Sequence, residues 1–327
     1  MVCPAAGLYR VRVCYDYISV PPPVEGSGHR ILLRHLHKWL KAQMVEESRN
    51  SPTDGPGCDD LPPTTVRVRP RGWREGVARM ADRSIPEETA VALVYDGSTE
   101  AVMMATPADL EDFAIGFSLT EGIIHDPADL RGLEILPVAD GIEARMWLVP
   151  DRGREVSARR RARTGPTGCG LCGVESLAEA GRLRQTRPLS DLAPVQGAAL
   201  LQAMAELDAA QRLGAQTRAV HAAGFWRPAD GLVALREDVG RHNALDKLVG
   251  GMARAGEVDL SGAVLLTSRV SVEMVQKTAS LGAPLLVAMS APTALAVRTA
   301  EAAGITLVAV ARRDGFEVFT HPHRVGI

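Results

Sequence analysis

A chain of 327 residues is long enough for two ordinary domains, and 46% hydrophobic with 23% charged residues is the profile of a globular protein. Thirty-seven Lys plus Arg against 39 Asp plus Glu leave a formal charge of -2, which argues against a strongly basic nucleic-acid binder while leaving room for a local phosphate site. Five cysteines are too few for a disulfide scaffold at this length, and the amino end lacks an apolar run of signal-peptide or membrane length.

Residues 1–63 differ from the rest and read as an atypical, flexible extension. Arg30 to Met44 has the pattern of a short basic amphipathic helix, and EESRNSPTDGPGCDDLPP after it is polar and rich in turn formers. Cys3, Cys14 and Cys58 fall in this stretch and read as thiols of a non-core tail. A start at Met44 would give a shorter chain, a point that intact-mass measurement decides.

A smaller α+β domain is expected over 64–164. TTVRVRPRGW alternates as a strand, and AVALVYDGSTEAVMMATP reads as two strands joined at Asp96-Gly97. Thr106 has the position of a cap for a helix starting at Pro107, with Asp109 in its first turn. Leu110, Phe113, Ala114 and Phe117 recur at helical spacing, Gly122 stops the run, and Leu133 to Leu148 offers further strands.

A larger domain is expected over 193–327. It opens with a helix ended near Gly214, followed by a hairpin in VHAAGFWRPADGLVALRED and a helix in VGRHNALDKLVGGMARAG. GAVLLTS, SVEMVQKTASLG, PLLVAMS, TALAVRTAEAAG and ITLVAVA then alternate strand, helix, strand, helix, strand. Short, nearly all-apolar strands of this kind suit a layered α/β domain with parallel order and right-handed crossovers.

Between them, 165–192 reads as a flexible hinge. Cys169 and Cys172 are the only cysteines after residue 63, flanked by Gly165, Gly168, Gly170 and Gly173. A Cys-x-x-Cys pair can carry or relay sulfur, share a metal, or bridge. Structural zinc needs further ligands, such as His321 and His323 or a second subunit's pair, and a reducing compartment disfavours a permanent bridge. Arg152, Arg154, Arg159, Arg160, Arg161 and Arg163 precede the pair. As a group they would lower a thiol pKa and attract anions, whereas singly they read as charged surface.

REDVGRHNALDK concentrates Glu237, Asp238, Arg241, His242, Asn243, Asp246 and Lys247 at a helix start. It reads either as a ligand site, with Asp238 near free amides and Arg241 and His242 near the ligand, or as a capped surface helix with internal ion pairs. His221 is a further acid, base or positioning candidate. Ser268, Arg269, Ser271, Glu273 and Lys277 could line the carboxyl end of the sheet, with Glu273 and Lys277 as an i,i+4 pair. Arg312 and Arg313 can meet phosphate, Asp314 can accept from a base or ribose, and Gly315 can open a turn. No G-x-G-x-x-G or P-loop supports a standard nicotinamide or ATP site.

The ordered series MMATPADLEDFAIGFSLTEGII, TGCGLCGVESL, VHAAGF, REDVGRHNALDK, TSRVSVEMVQKTAS, SAPTALAV and ITLVAVARRDGFEVFTHPHRV resembles the FdhD family of sulfur carriers, over roughly residues 64 to 325. The resemblance implies an α/β protein, α+β overall: a smaller β-rich amino-terminal domain and a larger, cytidine-deaminase-like three-layer carboxyl-terminal domain. Deamination is not implied, since the His-x-Glu and Pro-Cys-x-x-Cys of a zinc deaminase are missing in that order. The resemblance also implies a sulfurtransferase that receives persulfide sulfur from a cysteine desulfurase. It hands this to the molybdenum bis(molybdopterin guanine dinucleotide) cofactor needed by formate dehydrogenase. Cys169 is then the first carrier and Cys172 a receiving, relaying or resolving thiol. Val310, Ala311, Arg312, Arg313, Asp314 and Gly315 match the cofactor-binding segment, with Asp238, Arg241, His242 and Arg269 as further candidates. A cytoplasmic homodimer is expected, with the cofactor as bound substrate, no permanent cofactor or metal, no nucleic acid and no membrane span. The alternative is a non-catalytic chaperone for the cofactor or its dehydrogenase, and a third reading is a zinc-structured binding protein.

Overall fold

The computed structural model describes residues 61–162 and 188–327, with the side chains of 157–162 excepted. Residues 1–60 of the expected 1–63 tail, including Arg30 to Met44, and 165–187 of the expected 165–192 hinge, including Cys169 and Cys172, lie outside the described residues. So do the side chains of Arg159, Arg160, Arg161 and Arg163.

The first elements form a ribbon rather than the single strand expected from TTVRVRPRGW. Strands β1 (Thr65–Val68) and β4 (Arg83–Pro86) pair antiparallel, as do β2 (Arg71–Arg74) and β3 (Val77–Met80) beyond them. Glu75 (φ 50°) and Gly76 (φ 81°) make the two-residue turn, whose twist matches that of the flanking strands. Arg69-Pro70 interrupts the pattern because proline has no N–H to donate to a ladder.

Strands β5 (Thr89–Tyr95) and β6 (Ser98–Ala105) form the expected hairpin, with Asp96 (φ 49°) and Gly97 (φ 79°) at its turn. Strands β7 (Leu130–Val138) and β8 (Gly141–Leu148) complete a four-stranded sheet ordered β6-β5-β8-β7, with β5 and β8 parallel. Val91, Leu93 and Tyr95 alternate inward on β5 and pack with Phe113 and Phe117 of helix α1 (Leu110–Thr120) and with Ile142, Ala144 and Met146 of β8. Helix α2 (Pro150–Ala162) follows.

Helix α1 starts later than its sequence suggests. Asp109 is its N-cap in the left-handed region (φ 51°), and its side chain makes no cap hydrogen bond. Thr106 is drawn off by long-range partners: its Oγ1 accepts from the Val239 N–H at 3.1 Å, and its own N–H donates to Asp238 at 2.9 Å.

After β9 (Val195–Gln196), α3 (Gly197–Ala210) and α4 (Arg212–Thr217) replace the single helix expected to end near Gly214. The break lies at Gln211 (ψ 102°), and Glu237 accepts from the Leu213 and Gly214 amides at 2.9 and 2.7 Å, satisfying the start of α4. Then follow β10 (His221–Arg227), β11 (Gly231–Asp238), α5 (Arg241–Arg254), β12 (Ala263–Leu266), α6 (Val272–Leu281), β13 (Leu285–Ala288), α7 (Ala294–Ala303), β14 (Thr306–Arg312), β15 (Gly315–Val318) and β16 (Val325–Gly326).

The second sheet runs β11-β10-β12-β13-β14-β15. Strands β12, β13 and β14 are parallel, as their strand-helix alternation predicts, while β10, β11 and β15 are antiparallel to their neighbours. Short hairpin loops join β10 to β11 and β14 to β15, too short for a crossover. Both faces are covered. Val264, Leu266, Leu286 and Leu307 face α5, α6 and α7, whereas Leu265, Val287 and Val308 face Leu200, Met204 and Leu207 of α3. The architecture is thus two-domain α+β, with a β-rich amino-terminal part and a mixed α/β carboxyl-terminal part.

Helix α1 crosses α5 almost backbone to backbone. A Cβ on Gly116 would lie 1.7 Å from the Asp246 carbonyl oxygen, and one on Gly250 would lie 1.9 Å from that of Asp112. Only glycine fits at either position. Charges close the seam: Lys277 donates to Asp246 at 2.8 and 3.0 Å and to Thr120 at 2.9 Å, and Thr120 donates to Asp246 at 2.7 Å. Burial opposes the Lys277 charge, but Asp246 and Glu121 outweigh it and raise the lysine pKa. The expected Glu273–Lys277 pair therefore does not form, because helical spacing loses to a buried carboxylate across the seam. Asp112, also buried, is held by Arg236 and Arg254 at 2.6 Å each.

Candidate functional site

Strand directions put one set of polar residues along a single edge of the six-stranded sheet. That edge holds the carboxyl ends of β11, β12, β13 and β14 and the amino ends of β10 and β15. His221, the first residue of β10, lies opposite Asp238, the last of β11. The Ala222 N–H donates to the Thr267 hydroxyl at 2.9 Å, tying the end of β12 to the same place. Beyond it, the Thr293 N–H donates to the Val270 carbonyl at 3.0 Å and the Val310 N–H to that of Ser290 at 3.3 Å. The loops after β12, β13 and β14 are thereby linked into one rim.

Helices α5, α6 and α7 all begin on this rim, at Gly240, Ser271 and Thr293. Their amino-terminal amides point positive ends toward one region, an electrostatic setting that favours anionic ligands.

Asp238 belongs to the rim but does not face it. Fully buried, its carboxylate accepts from the Gly240 N–H at 2.7 Å, Asn243 Nδ2 at 3.0 Å and the Thr106 N–H at 2.9 Å, and it pairs with Lys247 Nζ at 2.6 Å. Lys247, equally buried, also donates to the Thr106 carbonyl at 2.9 Å. With its oxygens so occupied, Asp238 shapes the Gly240-Arg241-His242 turn from behind. The alternative of a surface helix is corrected: Asn243, Asp246 and Lys247 are all buried in the packing of α5.

Arg241 and His242 are half-exposed at the start of α5. His242 Nε2 lies 3.0 Å from Glu273, which also accepts from the Ser271 hydroxyl at 2.7 Å. The His242 hydrogen bond, with that of Ser271, holds the Glu273 carboxyl down at about 2, against burial. The Arg241 Nε is enclosed and has no hydrogen-bond partner among the described residues. A buried donor left open in this way is a place where a ligand acceptor would be stabilised. His221 is pushed below its ordinary pKa by burial and by the Arg241 charge, both of which favour its neutral form.

At the far end of the rim, Val310 takes a left-handed φ of 53°, rare for a β-branched residue. A bulge in the β14–β15 pairing between Ala309 and Arg312 accommodates it. Ala311 is buried, whereas Arg312, Arg313 and Asp314 are exposed at the hairpin tip before Gly315. Arg269 is exposed in the loop after β12. Arg241, His242, Arg269 and the segment Val310 to Gly315 thus share one edge, with Asp238 and Ala311 turned inward, whereas Lys277 lies in the seam. Cys169 and Cys172 fall outside the described residues.

Two arginines ahead of the cysteines have local partners instead of a free basic face. Arg152 donates to the Ile123 carbonyl at 2.8 Å and pairs with Glu155, and Arg154 pairs with Asp151. His321 Nε2 lies 3.0 Å from the Glu301 carbonyl oxygen, and among the described residues no cluster of three His, Cys, Asp or Glu could hold a metal. Sequence reasoning missed Thr106, whose N–H, carbonyl and hydroxyl all serve the Asp238 network. A Thr-Pro step before a helical pattern gives no sign of such a role.

A mixed α+β body with a polar rim at the carboxyl ends of its parallel strands has its polar groups where open α/β sheets commonly bind ligands. The FdhD/NarQ family model matches residues 86–326, and the chain belongs to that family. It is 51% identical over 260 residues to the sulfur carrier protein FdhD of Agrobacterium fabrum, covering 79% of this chain and 95% of that one. It is 49% identical over 259 residues to that of Bordetella petrii, covering 79% and 92%. A crystal structure assigned to a formate dehydrogenase accessory protein of Desulfotalea psychrophila superposes with a TM-score of 0.62 at 27% identity, over 81% of this chain and all of that one. The chain is accordingly a sulfur carrier, of sulfurtransferase class, in formate dehydrogenase and molybdenum-cofactor maturation. No helix among the described residues is long and apolar enough to cross a membrane.

Proposed function

We propose that this chain takes persulfide sulfur from a cysteine desulfurase onto Cys169 and passes it to molybdenum bis(molybdopterin guanine dinucleotide), bound as substrate along the rim, for use by formate dehydrogenase. One observation carries the reading: after residue 63 a chain of this sulfur-carrier family has two thiols, Cys169 and Cys172, both in the glycine-rich TGCGLCG. In the loading step the Cys169 thiolate attacks the outer sulfur of the donor persulfide. A new S–S bond forms, the donor's S–S bond breaks, and the donor leaves as a thiolate without net oxidation. Cys172 either receives that sulfur or attacks the inner sulfur, which gives a Cys169–Cys172 disulfide and releases hydrosulfide.

On the substrate side, Arg241, His242, Arg269 and the segment Val310 to Gly315 bind the nucleotide parts, with Asp238 positioning the first two. From β11 to β14 the rim crosses four strand spacings, roughly 19 Å, a span that suits a dinucleotide better than a single phosphate. Val310 and Ala311 act through their backbone, Arg312 and Arg313 through charge, and Asp314 as an acceptor for a base or ribose. We assign the domains as 64–164 and 193–327 about a thiol hinge at 165–192, with 1–63 as an extension. The larger domain has the three layers of a cytidine-deaminase-like fold. A cytoplasmic homodimer would pair two such rims.

Incubation with a cysteine desulfurase and cysteine, followed by intact-protein and peptide mass spectrometry, should place a reducible one-sulfur adduct on Cys169. Cys169→Ala should abolish activation of formate dehydrogenase while folding and guanosine diphosphate binding persist. A Cys169→Ala protein that still activates the dehydrogenase would instead make the chain a cofactor chaperone.

A further inference from the structure

The turn that leads into α5 has to place Arg241 and His242 on the rim, and it is very short. Strand β11 ends at Asp238 and α5 begins at Arg241, which leaves Val239 and Gly240 as the whole connection. The N-cap is Gly240, which has no side chain to bond the open amides of the first helical turn. A Cβ on Gly240 would lie 2.8 Å from Asn243 Nδ2 and 3.3 Å from Asp238 Oδ1. The turn is therefore held from behind, by what it is pressed against.

That backing is anchored in the smaller domain. Thr106, only 1% exposed in the connection between β6 and α1, meets the region of the turn with every polar atom it has. Its N–H donates to Asp238 Oδ2 at 2.9 Å, its hydroxyl oxygen accepts from the Val239 N–H at 3.1 Å, and its carbonyl accepts from Lys247 Nζ at 2.9 Å. Two residues earlier, the Met104 carbonyl accepts from Asn243 Nδ2 at 2.8 Å. Asp238 Oδ1 in turn accepts from the Gly240 N–H at 2.7 Å and from Asn243 Nδ2 at 3.0 Å.

These bonds are of two kinds. Those of the Thr106 peptide use backbone atoms and would survive a change of side chain, whereas the bond to Val239 needs the hydroxyl. The Val239 N–H is the first amide past the end of β11 and lies outside its ladder with β10. Without the hydroxyl it is a half-buried donor with no partner in place, a cost that moving the turn toward water relieves. Such a movement passes straight to Arg241 and His242, which follow the turn directly. A binding site has to keep its groups within about 0.5 Å of their productive places, so a small displacement is enough to matter.

We propose that Thr106 is a positioning residue of this carrier: its hydroxyl sets the turn through the Val239 N–H, and the turn aims Arg241 and His242 at the guanine nucleotide of the substrate. This rests on the reading that the rim binds that nucleotide. It adds that the grip of the larger domain is set by a residue of the smaller one.

The test uses the full chain and guanosine diphosphate. Thr106→Val, which keeps the branched shape and removes the hydroxyl, should weaken binding about tenfold by titration calorimetry. Thr106→Ser should restore it to within about twofold. In an Arg241→Ala/His242→Ala background, Thr106→Val should change the affinity by less than about twofold, since the groups it positions are gone. A purely structural role would lower the thermal midpoint of Thr106→Val but leave affinity unchanged, or reduce it equally in both backgrounds. Either result overturns the proposal. Should Thr106→Val fail to fold, the unmodified protein decides. Coupling is reciprocal, so saturating guanosine diphosphate should slow hydrogen exchange at the Val239 amide by about threefold or more, and unchanged exchange overturns the proposal. An unmodified protein that binds no guanosine diphosphate strikes instead at the rim reading. The positioning role is then judged from the His242 ring signals in NMR, which should move in Thr106→Val and return in Thr106→Ser; signals that stay in place overturn it.

Discussion

The α1–α5 seam and the carboxyl-edge rim are built from the same residue types and do opposite things with them. In the seam, Asp246, Lys277 and Thr120 are buried and bonded to one another, Asp112 is buried and held by Arg236 and Arg254, and two glycines bring the helices into backbone contact. On the rim, Arg241 keeps an unpartnered Nε, Arg269 and Arg312 are exposed, and three helix starts converge. A charge that is fully satisfied by the protein holds shape, whereas one left partly open is ready for a ligand. Asp238 marks the border, being within the rim's framework yet bonded as completely as a seam residue.

The sharpest way to break this contrast is at the seam glycines. Gly116→Ala or Gly250→Ala forces a methyl into a backbone carbonyl, and no rotamer relieves it. Each should cost more than about 3 kcal/mol and lower the thermal midpoint by several degrees in calorimetry. Lys247→Met should come next, at about 3–5 kcal/mol, because it strands the Asp238 carboxylate inside the protein. Adding Asp238→Asn should recover part of that loss, a coupling read by a double-mutant cycle in urea. Arg241→Ala and Arg269→Ala should leave stability within about 1 kcal/mol yet weaken guanosine diphosphate binding roughly tenfold by titration calorimetry.

The smallest effect concerns Glu273, whose carboxyl sits at about 2 against an ordinary 4.5, chiefly through His242. A depressed folded pKa means the unfolded chain takes up the proton first. The stabilisation is therefore present above about pH 4.5 and fades as pH falls toward 2. Thermal midpoints over that range should fall less steeply for Glu273→Gln than for the unmodified protein. Parallel curves would show that the His242–Glu273 bond does not bear on acid stability.

Most elements were legible because local pattern and tertiary fate agree in them. The Asp96-Gly97 turn, the helical spacing of Leu110, Phe113 and Phe117, and the short apolar strands β12, β13 and β14 all follow from burial at a fixed period. Two misses share one cause, a long-range partner that outcompetes a local one. Thr106 gives up a cap for Asp238 and Val239, and Lys277 gives up Glu273 for Asp246. The rim candidates could be named but not sorted, since a sequence does not say that Asp238 faces inward and Arg241 outward. The second half of the ribbon went unread for a different reason: an element with no buried face writes no hydrophobic period.

The partners in the seam are far apart in the chain, Thr120 and Asp246 being 126 positions apart. At synthesis rates of about 5–20 residues per second, roughly 10 s separate the emergence of α1 from that of the helix that covers it. During that interval the amino-terminal sheet has its helix but not its cover, and both thiols at Cys169 and Cys172 have already been made. The nascent chain thus passes through a stage in which both thiols are present before the body that follows them is closed. Slowing or truncating synthesis before Asp246 is where aggregation or premature thiol chemistry would first show.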